Sequence, residues 1–320
     1  AITTCLAFLI DKIAQYNSTL CRWKSSGENV VDTFGRQALP MVWDFAEVNI
    51  FGDASGDVGA LLDWLCEMLD SNSGQFTAVS GSSVQSSAAS HPMPDDSIDA
   101  FVTDPPYYYS VPYSDLSDFF YVWLKRSLGP LYPDLFTEQL TPKGEECVQN
   151  LAHSAVAHLQ KDKQFYESKM LDCLTEGRRI TKPNSVSVLV FAHTETSAWE
   201  ALLTALISAG WYVTASWPID TEMGTRLVAQ RQVTLASSIH LVCRPREYAD
   251  GTLIEDEVGD WRDVLRALPK RIHEWMPRLA AEGVVGADAI FACLGPALEI
   301  FSQYSRVEKP NGDVVPLLEY

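Results

Sequence analysis

Two consecutive prolines end a short apolar run and limit what this part of the chain can form. The run Ile98-Asp99-Ala100-Phe101-Val102-Thr103 has the composition of a buried strand, and proline lacks the amide hydrogen that would extend a strand ladder. Asp104-Pro105-Pro106-Tyr107 therefore follows the carboxyl end of a strand. In open α/β sheets ligands bind outside the carboxyl ends of the strands, so we expect Asp104 to face a ligand site.

This corner suits methylation of an exocyclic amine on a nucleobase. We expect the Asp104 carboxylate and the Pro105 carbonyl to accept the two amine protons, which fixes the nitrogen and helps to free its lone pair. Because proline fixes φ, the direction of the acceptors is set before the substrate arrives. Tyr107 offers a flat face for a base that has left its stack. The alternative interpretation is a strand that ends in a proline turn with surface tyrosines.

Composition indicates a soluble globular protein, but its charge opposes one class of partner. Hydrophobic residues make up 47% of the chain and charged residues 21%. No apolar run approaches the roughly 20 residues that span a bilayer, so we expect no membrane partner. The formal net charge of −18 is unfavourable for nucleic-acid binding, which depends on phosphate neutralisation. A DNA partner therefore requires a local basic surface or another part of the protein.

Seven cysteines are dispersed along the chain without a Cys-x-x-Cys pair. This pattern predicts reduced thiols in a cytoplasmic protein, and neither a disulfide framework nor a metal site. The chain begins at Ala1 without an initiator methionine or a basic leader. We therefore expect no signal peptide, and a piece of a longer protein.

Helix and strand patterns alternate through most of the chain and predict an α/β sheet with a hairpin-like edge. Apolar spacing predicts helices over residues 2–16, 58–70, 111–128, 158–180, 196–209, 255–282 and 287–302. Strands are predicted over 98–103, 185–192, 211–217 and 237–243, with a turn at Lys182-Pro183-Asn184 and a short strand at 75–79 or 83–85. We divide the chain into a helical and irregular segment 1–72, a core 73–247 and a helical extension 248–320.

A glycine-bearing loop over residues 51–59 precedes the second predicted helix and is a candidate cofactor cradle. The spacing of Gly52, Gly56 and Gly59 does not match G-x-G-x-x-G, and no clear strand precedes the loop. A surface loop is the favoured interpretation.

Several motifs resemble those of one enzyme family. Asp104-Pro105-Pro106-Tyr107 after a strand is similar to the catalytic motif of amino-group DNA methyltransferases. Residues 178–184 resemble the approach to the fifth strand of the class I methyltransferase fold, and 211–217 and 237–243 resemble its sixth and seventh strands. Longer stretches are similar to large bacterial adenine-specific DNA methylases, which carry an N-terminal domain of unknown function and are often linked to anti-phage defence; these are residues 17–23, 33–44, 113–124 and 217–222.

The resemblance implies a Rossmann-like class I methyltransferase sheet and methyl transfer from S-adenosyl-L-methionine to N6 of adenine in double-stranded DNA. It places the base-binding motif on Asp104, Pro105, Pro106 and Tyr107. The implied cofactor contacts are Ser86, Ser87 and Ala88, in the loop after the third strand, together with Asp104. The family's glycine-rich cofactor motif has no match here. We therefore expect an incomplete sheet that lacks the main cofactor half.

Other candidate residues have simpler alternatives. Tyr108, Tyr113, Arg226 and Arg231 are predicted substrate contacts, although the two arginines equally suit a solvated loop. His193 is interpreted as a structural hydrogen bonder, and Glu195 as part of a solvated helix start. Basic residues interleaved along 255–282 fit a DNA-binding face, or a helix that packs its apolar side on the domain.

Two further interpretations of function stay open. The same corner fits cytosine N4 or an amine of guanine in RNA, although an aspartate at the first motif position favours adenine in the family pattern. A non-catalytic DNA-sensing or scaffold module of a defence complex fits the charge of −18 and the absent glycine motif. In either case other subunits, or the missing N-terminal region, are expected partners.

Overall fold

The structure is a computed structural model of the 320-residue chain, and its atoms form two compact units. One unit comprises Ala1–Val84 and Val111–Glu146, and the other comprises Gln85–Ser110 and Cys147–Tyr320. The structure describes residues 1–35, 38, 39, 41–54, 56–73, 81–109, 111–150, 161–193, 195–220, 237–284, 289 and 292–320.

The first unit is mainly helical. Its helices are α1 (Ile2–Tyr16), α2 (Val58–Ser73) and α3 (Tyr113–Leu128), and α1 contacts both of the others. These helices confirm the predictions from apolar spacing. A small antiparallel hairpin of β1 (Arg22–Lys24) and β2 (Asn29–Val31), and a 3-10 turn at Pro133–Leu135, complete the unit as described. The hairpin was not predicted, because three-residue strands carry too little periodicity to be recognised.

The segment that follows α3 is held against that helix by hydrogen bonds and an ion pair. Glu146 accepts hydrogen bonds from the Ser114 amide at 2.8 Å and the Ser114 hydroxyl at 2.5 Å, and so occupies the amino end of α3. Lys143 forms an ion pair with Asp118 of the same helix at 2.8 Å. The long connection predicted over 130–157 is therefore ordered against α3 at residues 141–146.

The second unit contains a four-stranded mixed sheet. Its strands are β3 (Ile98–Thr103), β4 (Thr181–Phe191), β5 (Trp211–Asp220) and β6 (Ser237–Pro245), in the order β3-β4-β6-β5. β3 is parallel to β4, and β6 is antiparallel to both of its neighbours. The predicted α/β class is confirmed at this level.

The start of β4 differs from the prediction. A turn was expected at Lys182-Pro183-Asn184, but these residues belong to the strand. Thr181 faces Ile98 and Val186 faces Ala100, so a bulge separates the two pairs. Asn184 has a φ of 64°, the left-handed region that asparagine tolerates. A bulge removes Pro183 from the ladder, where its missing amide hydrogen would leave a gap.

The remaining differences lie near the ends of predicted elements. The helix expected over 255–282 is α6 (Trp261–Ala281), because Val258–Asp260 forms strand β7 and pairs with β8 (Arg306–Glu308). The helix expected over 287–302 is described as α7 (Leu294–Ser302), and a 3-10 turn at Leu317–Glu319 follows β8. Residues 83–85 form no strand, and the alternative strand 75–79 lies outside the described residues.

The core of the second unit lies between the sheet and two helices, α4 (Lys163–Ile180) and α5 (Thr196–Ser208). Gly177 lets α4 approach β3 closely, since a Cβ atom there would stand 2.6 Å from the Phe101 ring. That ring stacks on Trp211 with centroids 6.0 Å apart and has little freedom to move. The largest fully buried side chains of this core are Trp211, Tyr166, Phe191, Leu189, Leu202, Leu206, Ile239 and Leu241.

Arg179 anchors the segment that leads into β3. Its guanidinium donates hydrogen bonds to the carbonyls of His91 at 3.1 Å and Met93 at 3.0 Å, and to Glu176 at 2.6 and 2.8 Å. Glu176 also accepts the His91 amide at 2.6 Å. The hydrogen bonds from Arg179 hold the pKa of Glu176 at about 2, against its usual value near 4.5. The start of β3 is thereby fixed to the end of α4.

We expect Gly177→Ala to destabilise the second unit. Alanine favours a helix by about 1 kcal/mol over glycine, but its methyl group would overlap the confined Phe101 ring, and overpacking costs about 1–3 kcal/mol. Urea unfolding should show a lower midpoint. Thr175→Ala, on the exposed face of the same helix, is the control and should leave the midpoint nearly unchanged. A variant as stable as the wild type would contradict the close contact.

Glu176 predicts a specific acid sensitivity. Its pKa is lower in the folded protein than in the unfolded chain, so its stabilising contribution is full above about pH 4.5 and is lost as the pH falls towards about 2. In Glu176→Gln the loss of stability across this range should be smaller than in the wild type. This difference is measured by thermal unfolding between about pH 5 and about pH 2.5, the range in which the carboxyl titrates. Glu167→Gln, which removes an exposed carboxylate from α4, should retain the wild-type profile.

Candidate amine-binding corner

The end of β3 presents an open carboxylate. Thr103 pairs with Leu189 of β4, so Asp104 stands where two neighbouring parallel strands both point towards their carboxyl ends. The Asp104 side chain is exposed, and Pro105 is partly buried. In the described part of the chain no hydrogen bond or ion pair reaches the Asp104 carboxylate or the Pro105 carbonyl. Both acceptors are therefore available to an external donor.

A buried tyrosine holds the second proline of the bend. The Tyr166 hydroxyl donates a hydrogen bond to the Pro106 carbonyl at 3.0 Å, and the Tyr108 amide donates to the same oxygen at 3.1 Å. Tyr166 is fully buried on α4, and burial raises the pKa of its hydroxyl, which therefore stays protonated as a donor. The direction of the bend is thus set by the core rather than by solvent-exposed groups.

Tyr107 and Tyr108 are both joined to the core. The Tyr107 ring is partly buried and lies edge-on to Phe191 at the end of β4, with centroids 5.1 Å apart. Tyr108 has a φ of 55°, a left-handed conformation that is uncommon for a bulky residue. Its ring is 6% exposed and packs at 90° on Tyr166, at 4.9 Å. Their predicted roles as a base platform and a substrate contact stay predictions.

Tyr109 is the exposed member of the three tyrosines. Its hydroxyl donates to Glu195 Oε1 at 2.5 Å, and its ring lies 5.5 Å from His193, edge to face. The Glu195 amide in turn donates to His193 Nδ1 at 3.0 Å. Burial lowers the pKa of His193, and because Nδ1 accepts this bond, the neutral ring carries its proton on Nε2. His193 and Glu195, which the sequence suggested were structural or solvated, therefore adjoin the bend.

Two residues of this corner were missed by the sequence analysis. Tyr166 carried a usable signal, because Tyr166, Met170 and Leu174 recur at helical spacing and share the buried face of α4. A buried tyrosine needs a hydrogen-bond partner, which points to a nearby carbonyl. Glu195 carried no such signal, since its contact with Tyr109 joins residues 86 positions apart.

The structure leaves the other predicted contacts untested. Ser86, Ser87 and Ala88 lie in an exposed turn before β3, and no hydrogen bond or ion pair among the described residues joins them to Asp104. Tyr113 begins α3 in the first unit and is 51% exposed. Arg226 and Arg231 lie outside the described residues. The roles expected of all six residues stay predictions.

The basic residues of α6 are largely paired with acidic neighbours. Arg262 pairs with Asp260 at 2.7 Å and Arg266 pairs with Asp263 at 2.9 Å. Arg271 pairs with Glu299 at 2.6 Å. These ion pairs reduce the positive potential of the helix. The apolar side of the helix packs on the domain, where Val264 is buried. Packing is therefore a better explanation of the amphipathic pattern than DNA binding.

The described glycines of the second unit are not placed directly after the parallel strands. The cofactor motif of the resembling family is glycine-rich, but the described glycines of the second unit lie at 177, 210, 251, 259, 283, 295 and 312, and none directly follows β3 or β4. In the first unit, Asp57 already caps α2 through a 2.8 Å bond from the Ala60 amide. That helix start is therefore occupied by a carboxylate, which opposes phosphate binding.

The described residues form neither a metal-binding cluster nor a membrane-spanning helix. No group of three or more histidine, cysteine, aspartate or glutamate side chains there is arranged to hold a metal ion. Nor does that part of the chain include a helix with the length and apolar character needed to cross a membrane.

Comparison with known proteins does not assign a family. The sequence matches no protein-family model, and no curated protein matches it. The interpretation of the corner therefore depends on its residues and their geometry.

Tyr166→Phe should weaken the bend with little change in packing. Removal of one buried hydrogen bond costs about 1 kcal/mol, and the Pro106 carbonyl keeps its bond from the Tyr108 amide. Urea unfolding should show this loss. Tyr212→Phe, on a partly buried strand tyrosine, is the matched control and should change stability by less. Equal stability of Tyr166→Phe and the wild type would show that the bond does not fix the bend.

Proposed function

We propose that this chain supplies the base-holding corner of an S-adenosylmethionine-dependent DNA methyltransferase that acts on N6 of adenine. The proposal rests on one observation: the exposed carboxylate of Asp104 and the carbonyl of Pro105, at the carboxyl end of a parallel strand, have no hydrogen-bond or ion-pair partner among the described residues. Two acceptors in this position match the two protons of a planar exocyclic amine. A base must leave its stack to reach them.

The chain's own residues would act by positioning. Asp104 and the Pro105 carbonyl accept the amine protons and fix the nitrogen, while the Tyr166 bond to the Pro106 carbonyl keeps the bend from rotating. Such preorganised acceptors need no rearrangement when charge develops on the amine. The cofactor supplies the methyl group when bound. Because the sequence has no match to the family's glycine-rich cofactor motif, the proposed role of this chain is limited to the amine side of the reaction.

We also propose a more specific fold, based on the resemblance of these strands to those of class I methyltransferases. If β4, β5 and β6 correspond to the fifth, sixth and seventh strands of the class I methyltransferase fold, β3 corresponds to the strand that carries the catalytic motif. The sheet would then be the incomplete, Rossmann-like portion that lacks the cofactor half. The open side of β3 supports this, since the described part of the chain pairs β3 with β4 alone.

DNA in the cytoplasm, in a phage-defence or restriction-modification setting, is the proposed partner and context. The charge of −18 and the ion pairs of α6 oppose DNA binding by this chain alone. The same two observations favour a second candidate, a non-catalytic module that senses DNA or acts as a scaffold within a larger complex.

Discrimination of the amine provides the test. We would measure binding to single-stranded oligonucleotides that carry a central adenine, or a purine without the 6-amino group, by fluorescence anisotropy at low salt. The wild type should prefer adenine by about 5- to 100-fold, which is the usual value of one or two hydrogen bonds to a charged group. Asp104→Ala, which removes the acceptor oxygens, should remove most of this preference. Asp99→Ala, at the other end of β3, should retain it.

Equal binding of adenine and purine by the wild type would contradict the proposal. A second measurement then distinguishes an enzyme from a module: mass spectrometry of DNA incubated with the chain and S-adenosylmethionine. N6-methyladenine that disappears in Asp104→Ala supports the enzyme, and methylated cytosine or guanine would identify another amine. Preference for adenine without any cofactor binding in calorimetry would assign the donor pocket to another polypeptide or segment.

A further inference from the structure

The three tyrosines after the proline bend have different environments, and the most accessible ring is not that of Tyr107, to which the sequence motif assigns stacking. We propose that Tyr109, oriented by Glu195, forms the aromatic face on which the extruded nucleobase stacks. This inference rests on the proposed function, because it names a second contact of the same site. Tyr109 would bind the base, and Glu195 would act as a positioning residue.

Exposure separates Tyr109 from its neighbours. Its side chain is 47% exposed, whereas Tyr108 is 6% exposed and lies within the core. The Tyr107 ring is partly buried and is already engaged with Phe191. A stacking partner must offer a ring face to a base that arrives from solvent. Of the three, Tyr109 offers the most accessible ring.

The ring of Tyr109 is held in place before any base arrives. Its hydroxyl is fixed by the 2.5 Å bond to Glu195, and the edge-to-face contact with His193 limits its rotation. Glu195 is itself fixed through its amide, which donates to His193 Nδ1. An exposed tyrosine normally loses side-chain entropy on binding, and this arrangement reduces that cost.

The fold places this ring and Asp104 at the same edge of the sheet. Successive residues of the bend contact successive residues at and after the end of β4. Tyr107 contacts Phe191, and Tyr109 contacts His193 and Glu195. The left-handed conformation of Tyr108 reverses the chain between them while its ring stays in the core. The segment 104–109 therefore runs beside the carboxyl ends of the same two strands.

The two contacts divide recognition into separate parts. Stacking on an aromatic ring is insensitive to the base, because every base has a π face. Acceptance of amine protons by Asp104 and Pro105 distinguishes adenine from bases without that group. Tyr109 should therefore contribute affinity for any base in the site, and Asp104 should contribute the preference for adenine.

The experiment compares oligonucleotides with a central adenine, an amine-free purine or an abasic site, measured by anisotropy with the whole chain. Tyr109→Ala should weaken binding of adenine and purine alike by about 5- to 100-fold, the usual value of one stacked base, and leave the abasic strand unchanged. Tyr109→Phe, which keeps the ring, should lose far less. Glu195→Ala should be intermediate, and Glu195→Gln, which keeps an acceptor, should restore most of the affinity.

Controls separate this inference from the function on which it rests. Tyr248→Ala removes a ring that is 53% exposed beyond the end of β6, which lies at the amino end of β4, and should bind as the wild type does. If Tyr109→Ala retains full affinity while Asp104→Ala loses the preference for adenine, the stacking role is wrong and the proposed function stands. If the wild type binds the abasic strand as tightly as the adenine strand, both are wrong.

Discussion

The backbone at Tyr108 is the constraint on which the candidate site depends. A bulky residue at a φ of 55° is strained by about 1–2 kcal/mol, and it persists only where the surroundings determine it. Here its ring is packed against Tyr166, and its carbonyl accepts the Gln149 amide at 2.9 Å. The core thereby forces the chain to reverse after the prolines. The acceptors before this point, and the exposed ring after it, take their directions from that reversal.

Much of the fold could be predicted because its signals are local. β4, β5 and β6 follow short segments rich in apolar and β-branched residues, and the helices follow apolar spacing, so composition within a short window is sufficient. The sequence predicts a turn at Pro183, where the structure has a bulge, because proline and asparagine have the same local preference in both settings. β7 and β8 pair residues almost fifty positions apart, and three residues at each end leave no periodic pattern.

The candidate site, like the fold, has one part that the sequence predicts and another part that it does not. The position of Asp104 after a strand was readable, because a strand pattern and two prolines are adjacent in sequence. The different fates of Tyr107, Tyr108 and Tyr109 were not, since identical residues gave no basis to separate core from surface. What separates them is a set of partners on β4, α4 and the start of α5, including Phe191, Tyr166 and Glu195. Such contacts arise only after the sheet and its helices have assembled.

The candidate site at Asp104 also lies at the end of β3, an edge strand of the described sheet. In the described part of the chain β3 hydrogen-bonds to β4 alone, and Val102 is 69% exposed. A strand of this kind opens at a lower free energy than the global unfolding transition, with fast amide hydrogen exchange along its free side. The Arg179 anchor at one end and Tyr108 at the other are what oppose this opening. Heating should therefore disorganise the corner while the core around Trp211 is still folded.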